Sequence, residues 1–283
     1  MTEYDLTQST YGDGPGPYGS WPAAHRVDYI GDEIAAPVSA WSFRKWKAAA
    51  TVCCRVRRDS DNAETDIGFK GGLVDRAAVQ AFLDADEATA AYVVTLYDQV
   101  GANDLTQATA GNQPEFKPDG GANGLPGCEF TGTQYLSVAA LAQSQPFEIG
   151  AVCKFGSSAA GRRLLSKDNA THYTLAIDAL ASNDWLRMYA GASLYVTTNV
   201  DGQLGCVSAQ FDGANGVLRW NGAESAAGNV NPNAMQSVRL GNAEGSGGSP
   251  LLGELHEAAL WGALLSGADR TAYEADAQSF WRV

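Results

Sequence analysis

Phe147-Glu-Ile-Gly-Ala-Val-Cys-Lys-Phe155 (FEIGAVCKF) and Gly253-Glu-Leu-His-Glu-Ala-Ala-Leu-Trp261 (GELHEAALW) are the stretches on which the fold turns. The first alternates along an extended segment, and the second, with His256 inside an alternating run, reads as the last strand of the series. Between them lie Tyr173 to Ile177, Trp185 to Tyr189, Leu194 to Asn199, Cys206 to Phe211 and Gly216 to Trp220. Gly, Asn or Asp separates most of these runs, as antiparallel hairpins require. Short strands at such even spacing indicate a sandwich or barrel. Upstream, Cys128 to Phe130 and Tyr135-Leu136 begin the same series.

The bulk properties agree. A chain of 283 residues with 45% apolar and 18% charged residues can bury a large core, and 32 glycines suit many tight turns. The formal charge of −13 repels phosphate backbones and anionic headgroups, so neither nucleic acid nor membrane is an expected partner. Arg55, Arg57 and Arg58 are a local basic exception, with Arg55 and Arg57 on one face of an extended run. They read as a salt-bridged strand rather than an anion site. No apolar run reaches the length of about 18 residues that would span a membrane. Met1 to Ser20 lacks the basic start and apolar run of a secretory signal. Cys53, Cys54, Cys128, Cys153 and Cys206 show no metal-ligand spacing, and Cys153 and Cys206 read as small buried hydrophobes. Synthesis and assembly in a reducing cytoplasm is the expectation.

Residues 1–36, with Gly14-Pro15-Gly16-Pro17 and Pro22, read as an extended arm suited to attachment, and residues 37–283 as the folded domain. Val38 to Lys47 fits a short helix or a strand. Val52 to Arg58 alternates as a strand and ends in the turn-rich Asp59-Ser60-Asp61-Asn62. Apolar spacing predicts a helix over Val74 to Leu83, followed by a strand over Ala91 to Tyr97. Ser266 begins a closing helix over Ala268 to Trp281, in which Trp281, with Trp261 of the last strand, ties the ends to the core.

Two sets of segments carry a family resemblance. The run from Arg55 to Phe69, the run Val94-Thr-Leu-Tyr-Asp-Gln-Val-Gly-Ala-Asn-Asp-Leu-Thr-Gln-Ala108 and Asn112-Gln-Pro114 resemble the N-terminal half of the arabinofuranosidase B-type catalytic domain, and similar segments recur in phage virion proteins. Phe130-Thr-Gly-Thr-Gln-Tyr-Leu136, Phe147 to Phe155, Ala209 to Gly213 and Gly253 to Ser266 are similar to the laminin-G and concanavalin A-like lectin and glucanase group. The resemblance implies an all-β, concanavalin A-like jelly-roll sandwich of two antiparallel sheets with a few short helices, its concave sheet being the usual ligand surface.

It also implies chemistry to look for. The family's nucleophile is a Glu in a strand whose counterpart here is His172 to Ile177. Thr174 falls near the nucleophile position, and a hydroxyl without a base does not replace a carboxylate at the anomeric carbon. The family's acid is an Asp in a loop after Leu-Gly, where Leu240 to Gly245 offers Glu244 with shifted spacing; a new pair of Glu244 with Asp178 has no support in the motif. The expectation is therefore no enzyme, no catalytic residues, no cofactor and no metal. His25, His172 and His256 are isolated, and Asp59 to Glu64 lacks the spacing and central glycine of a calcium loop and reads as a hydrogen-bonded turn. What remains is carbohydrate binding by aromatic faces and planar amides: Tyr173, Trp185, Tyr189, Trp220, Asn221, Asn242 and Glu244 are the candidates, with Tyr195 beside them, and Trp185 and Trp220 are expected to be exposed.

A glycosidase-like domain without its nucleophile and without an export signal points to an oligomer-capable surface protein of a virion or phage-like particle. Such a head spike, head fibre or tail-fibre component would bind host capsular or envelope polysaccharide, with residues 1–36 joining other particle proteins. A glycoside hydrolase of the arabinofuranosidase type and a purely structural particle component are the alternatives.

Overall fold

The structure is a computed structural model that describes residues 29–119, 124–156, 162–166, 176–179, 184–224, 227–242 and 249–283. In chain order the strands are β1 (Ser39–Ser42), β2 (Val52–Arg58), β3 (Glu64–Lys70), β4 (Leu73–Val74), β5 (Ala91–Leu96), β6 (Leu105–Thr106), β7 (Glu115–Lys117), β8 (Gly127–Phe130), β9 (Leu136–Val138) and β10 (Phe147–Lys154). They continue as β11 (Arg162–Ser166), β12 (Ala176–Ala179), β13 (Trp185–Tyr189), β14 (Ser193–Asn199), β15 (Leu204–Phe211), β16 (Val217–Trp220), β17 (Ala223–Glu224), β18 (Val238–Leu240) and β19 (Gly253–Trp261). The α-helices are α1 (Ile30–Glu33), α2 (Arg76–Asp84) and α3 (Gly267–Trp281).

All ladders between these strands are antiparallel and form two layers. In the first, β1 and β8 lie end to end along one edge of β19, and β10, β15, β16 and β17 follow from its other edge. The second runs β3–β2–β5–β6–β9–β18–β11–β12–β13–β14. Strand β7 pairs with both β5 and β8 and joins the layers. Leu136, Leu165, Ile177, Met188 and Leu240 of the second layer enter one core cluster with Phe147, Ile149 and Phe211 of the first. Phe147 and Phe211 are cross-strand partners stacked at 4.8 Å. The expected two-layer β architecture is what the chain adopts.

The other face of the first layer is covered by α3. Ser266 caps this helix by accepting from the Asp269 N–H, and Tyr273, Ala277 and Trp281, four residues apart, form its buried stripe. Gly150 of β10 makes the close approach possible, since a Cβ there would lie 2.4 Å from the Tyr273 ring. Trp261 and Trp281 are core residues, as expected.

Other expectations meet the structure as follows. The segment at Val38 to Lys47 supplies strand β1, and α2 matches the predicted helix to within two residues at its start. The arm boundary at 36 is corrected: Ile30 and Ile34 are buried, the Gly31 N–H donates to the Trp46 carbonyl, and the Trp261 Nε1–H donates to the Ala35 carbonyl at 2.9 Å. Two isoleucines in this polar neighbourhood are enough apolar surface to dock residues 29–36 onto the domain. Residues 1–28 lie outside the described residues. All five cysteines are buried and free, and burial raises the thiol pKa of Cys53, Cys128, Cys153 and Cys206.

Candidate functional site: the polar face of the second sheet

Period-two geometry gives each strand of the second layer one core face and one other face. The residues on that other face fall into register. Asp66 opposes Arg55, Arg55 opposes Thr95, Thr95 opposes Thr106, Thr106 opposes Ser137 and Ser137 opposes Arg239. The row continues through Ser166, Ala176, Tyr189 and Ser193. Ten strands thus contribute one residue each, and all but Ala176 are polar. At about 4.8 Å between strands, nine steps carry the row roughly 43 Å along the sheet.

At the β11–β14 end a second row stands beside it. Arg163 opposes Asp178, Asp178 opposes Arg187, and Arg187 opposes Tyr195. Arg187 holds Asp178 in a fork, Nε to Oδ1 at 2.8 Å and Nη2 to Oδ2 at 2.6 Å, while Arg163 Nη2 reaches Oδ2 at 3.2 Å. Hydrogen bonding to Asp178 is the main cause that raises the Arg187 pKa, so the guanidinium stays charged. Around this group are aromatic rings. Trp185 meets Tyr195 edge-on at 6.5 Å, Arg187 lies over Tyr189 at 5.7 Å, and Arg239 lies over Tyr135 at 3.7 Å. Tyr195 is 41% exposed, while Trp185, Arg187 and Tyr189 are half-buried. A half-buried ring presenting one face beside fixed donors and acceptors suits a sugar, whose C–H side is apolar and whose hydroxyls are not.

At the β3 end Arg55 forks onto Asp66 (Nε to Oδ1 at 2.8 Å, Nη2 to Oδ2 at 2.9 Å), and the Tyr97 hydroxyl donates to Asp66 Oδ1 at 2.8 Å. The Arg55 hydrogen bonds hold the Asp66 carboxyl below its usual range, while burial and the Asp66 contact push Tyr97 up to about 12. These side chains border an open cavity of about 410 Å³ lined by Thr51, Asp66, Tyr97, Asp98 and Gly101 among others.

The structure brings two of the sequence-predicted residues, Trp185 and Tyr189, onto this face. Trp220 is corrected: it lies in β16 of the other layer, is 6% exposed, and packs on Phe155 at 6.2 Å and over Gly205, where a Cβ would lie 2.2 Å from its ring. The hairpin after it places the indole inward, because Trp220 opposes Val207 on the core side. Asn221 is the turn residue of that hairpin, at φ 51°, and its Oδ1 accepts from the Cys206 N–H at 2.7 Å. Asn242 is buried; its carbonyl accepts from Ser166 Oγ at 3.0 Å, which fixes the end of β11. Tyr173 and Glu244, with His172 and Thr174, lie outside the described residues.

Sequence reasoning overlooked Arg163, Arg187, Arg239, Ser137 and Tyr135 as members of this face. The alternation of Asp178 with Ile177, and of Arg187 with Leu186 and Met188, was the available signal. The turn after β2 uses its carboxylates on donors: Asp59 accepts from the Thr89 and Ala90 N–H groups and the Thr89 hydroxyl, and Asp61 from Arg58 and the Ala63 N–H. Among the described residues no three His, Cys, Asp or Glu side chains are placed to hold a metal ion. His256 is buried against Trp281 at 5.1 Å, with Nδ1 2.9 Å from the Pro126 carbonyl, and serves packing.

No protein-family model matches the chain, and no curated protein matches it. Solved structures do. An arabinofuranosidase complexed with arabinofuranosyl-α-1,2-xylobiose superposes with a TM-score of 0.68 over 87% of this chain, at 16% identity. This chain has the arabinofuranosidase fold. A GH54 α-L-arabinofuranosidase soaked with 4-nitrophenyl α-L-arabinofuranoside matches with a TM-score of 0.67 at the same identity and coverage. The Trypanosoma rangeli sialidase in complex with sialic acid matches more loosely, with a TM-score of 0.51 at 11% identity over 80% of this chain and 44% of its own. The chain covers 63% of the arabinofuranosidase chains. At such identities the fold is what is shared, and it is a fold of glycoside hydrolases.

Proposed function

We propose that the protein binds carbohydrate without hydrolysing it, through the aromatic end of the second sheet's polar face. One observation carries this reading. Within β9, β11–β14 and β18 the one carboxylate is Asp178, and guanidinium groups occupy both of its oxygens. A retaining glycosidase needs two carboxyl groups about 5–5.5 Å apart, one of them free to attack. A carboxylate clamped by two arginines is a positioning group: with the buried Arg163 behind it, it orients the half-buried Arg187 toward sugar hydroxyls. Trp185, Tyr189 and Tyr195 supply the apolar contact.

The virion-like segments between Arg55 and Pro114 support placing this domain on the surface of a virion or phage-like particle, where it would touch host polysaccharide, with the segment before residue 29 available for a particle partner. The shared arabinofuranosidase fold favours a second reading, hydrolysis. One pair of measurements separates them. Immobilised arabinoxylan, arabinan and bacterial capsular polysaccharides are probed for retention, and 4-nitrophenyl α-L-arabinofuranoside for released nitrophenol. Retention without release, reduced on Tyr195→Ala, is the expected result. Turnover of the arabinofuranoside would establish the hydrolase, and absence of retention on every polymer would refute binding.

A further inference from the structure

We infer that the cavity between residues 49–52 and 97–101 is a binding pocket for an alkyl cation, the ammonium or guanidinium end of a methylene chain. A lysine or arginine side chain of a partner protein and a free polyamine both present that chemistry. The inference does not depend on the carbohydrate-binding reading, because the cavity lies at the β2, β3 and β5 end of the sheet, away from the aromatic group on β13 and β14.

The cavity is built before any ligand arrives. One wall is the turn after β5, and Asp98 is its hub. Asp98 Oδ1 accepts from the Ala40 and Val100 N–H groups at 3.0 Å each, Oδ2 accepts from the Asn103 N–H at 3.1 Å, and the Asp98 N–H donates to Asp104 Oδ1 at 2.9 Å. Gly101 lets this turn close so tightly, since a Cβ there would lie 2.8 Å from Asp98 Oδ2. The other wall is the approach to β2, where the Ala48 N–H donates to Asp32 Oδ2 and the Ala50 N–H to the Lys47 carbonyl. Gln99 ties the two walls together. Its Oε1 accepts from the Trp46 N–H at 2.7 Å, and its Nε2 donates to the Ser42 and Arg44 carbonyls at 2.8 and 2.9 Å. Walls fixed in this way leave a preformed space of about 410 Å³ rather than a gap in loose packing.

The lining selects the ligand. Ala49, Ala50, Val52 and Val100 offer apolar surface beside the Tyr97 ring and the Asp66 and Asp98 carboxylates. Arg55 offsets the charge of Asp66, whereas Asp98 and Asp104 meet no cationic side chain among the described residues. Asp104 adds, after burial and Asp66, to the rise of the Tyr97 hydroxyl pKa, so its charge is felt at the pocket wall. An anion is repelled here, and a wholly apolar ligand would take water from a carboxylate without returning a hydrogen bond. A methylene chain with a cationic head meets both demands: the stem packs on alanine and valine, and the head meets the carboxylates and the aromatic ring. Asp66 is 43% exposed and receives three donors, two from Arg55 and one from Tyr97; a carboxylate accepts about four, so one acceptor position stays open to the ligand.

The test uses the full chain with its amides isotopically labelled, and the Thr51, Val52 and Gly101 amide resonances as reporters. Four probes are titrated: N-acetyl-lysine methylamide, N-acetyl-arginine methylamide, spermidine, and the neutral N-acetyl-norleucine methylamide. The expectation is saturable shifts with the three cations and roughly tenfold weaker binding of the norleucine compound. Cation binding should weaken severalfold as salt rises from about 20 to about 500 mM. Asp66→Asn should weaken it about fivefold or more, while Asp61→Asn, which removes the same charge from the turn after β2, leaves it unchanged; a thermal melt shows that each variant folds. Spermidine binding far more tightly than the lysine compound would point to a free polyamine, and comparable affinities to a side chain of a partner protein. No saturable shift with any cation, norleucine binding as tight as lysine, or binding unchanged in a folded Asp66→Asn protein overturns the inference and leaves the carbohydrate reading untouched.

Discussion

Glu257→Ala should be among the most damaging single substitutions in this protein. Glu257 sits in β19 with no exposure, between the first sheet and α3. Its carboxylate accepts from Arg44 Nε at 2.6 Å and Nη2 at 3.0 Å, from Ser42 Oγ at 3.0 Å and from the Trp281 Nε1–H at 3.3 Å. Arg44 is only 3% exposed, and its remaining carboxylate partner is Asp276 at 2.5 Å, which is 35% exposed. Removing one partner of a buried pair leaves the other charge in a medium that cannot solvate it, at a cost of about 3–5 kcal/mol. The indole N–H and the serine hydroxyl lose their acceptor in the same step. For a chain of this size each kcal/mol lowers the melting temperature by about 2–4 °C, which gives a fall on the order of 10 °C. Urea unfolding followed by tryptophan fluorescence measures the free energy directly, with an unchanged m-value showing that the denatured state is unaffected. The double substitution Arg44→Met with Glu257→Leu is the control: with both charges gone, most of the loss should be recovered, because a filled apolar layer replaces the pair without a stranded ion. A Glu257→Ala protein within about 1 kcal/mol of wild type at unchanged m would refute the reasoning, since it would mean that Arg44 escapes to water at little cost.

Two further outcomes follow from the same buried layer and from the core. Tyr273 is 1% exposed and its buried hydroxyl has no hydrogen-bond partner among the described residues, so Tyr273→Phe should leave stability unchanged or raise it by up to about 1 kcal/mol, and a loss of that size in a thermal melt would refute this. All five cysteines are buried with free thiols, and burial raises four of their pKa values, so a thiol-reactive dye at pH 8 should label none in the native protein and all five after denaturation; rapid native labelling would contradict the packing.

Much of this architecture was legible wherever one structural period held without interruption. FEIGAVCKF and GELHEAALW became β10 and β19, the long central pair of the first layer, because each is a single unbroken run bounded by turn residues. The closing helix was legible from Ser266 as cap and from the four-residue spacing of Tyr273, Ala277 and Trp281. Strand β3 was hidden because Glu64, Asp66 and Lys70 give it a charged surface and its single deeply buried side chain, Ile67, sets no pattern. Trp220 was misplaced for a different reason: the Asn-Gly turn after it signals a hairpin, and a hairpin tip says nothing about which face the last strand residue turns to.

The polar face was illegible for a reason that bears on how it arose. Read with strict alternation, Arg162-Arg163-Leu164-Leu165-Ser166 puts Arg163 with Leu165 on one side and Leu164 with Ser166 on the other, so neither side is a surface. In the fold the register shifts between Arg163 and Leu165: Arg163 opposes Asp178, Leu165 opposes Ile177, and Ser166 opposes Ala176. The extra residue lets Leu165 join the core while Arg163 and Ser166 turn to the same opposite side, where both are buried. A second shift, between Arg55 and Val56, sets Arg55 opposite Thr95 and Val56 opposite Val93, and a third follows Trp185. Without the first two of these bulges the row from Asp66 to Ser193 would break at β2–β5 and at β11. Because side chains alternate along every strand, the register that buries Leu136, Leu165, Ile177, Met188 and Leu240 also decides which residues share the opposite face. The bulges therefore keep the buried residues in phase from strand to strand, and the polar row on the opposite face follows from that same register.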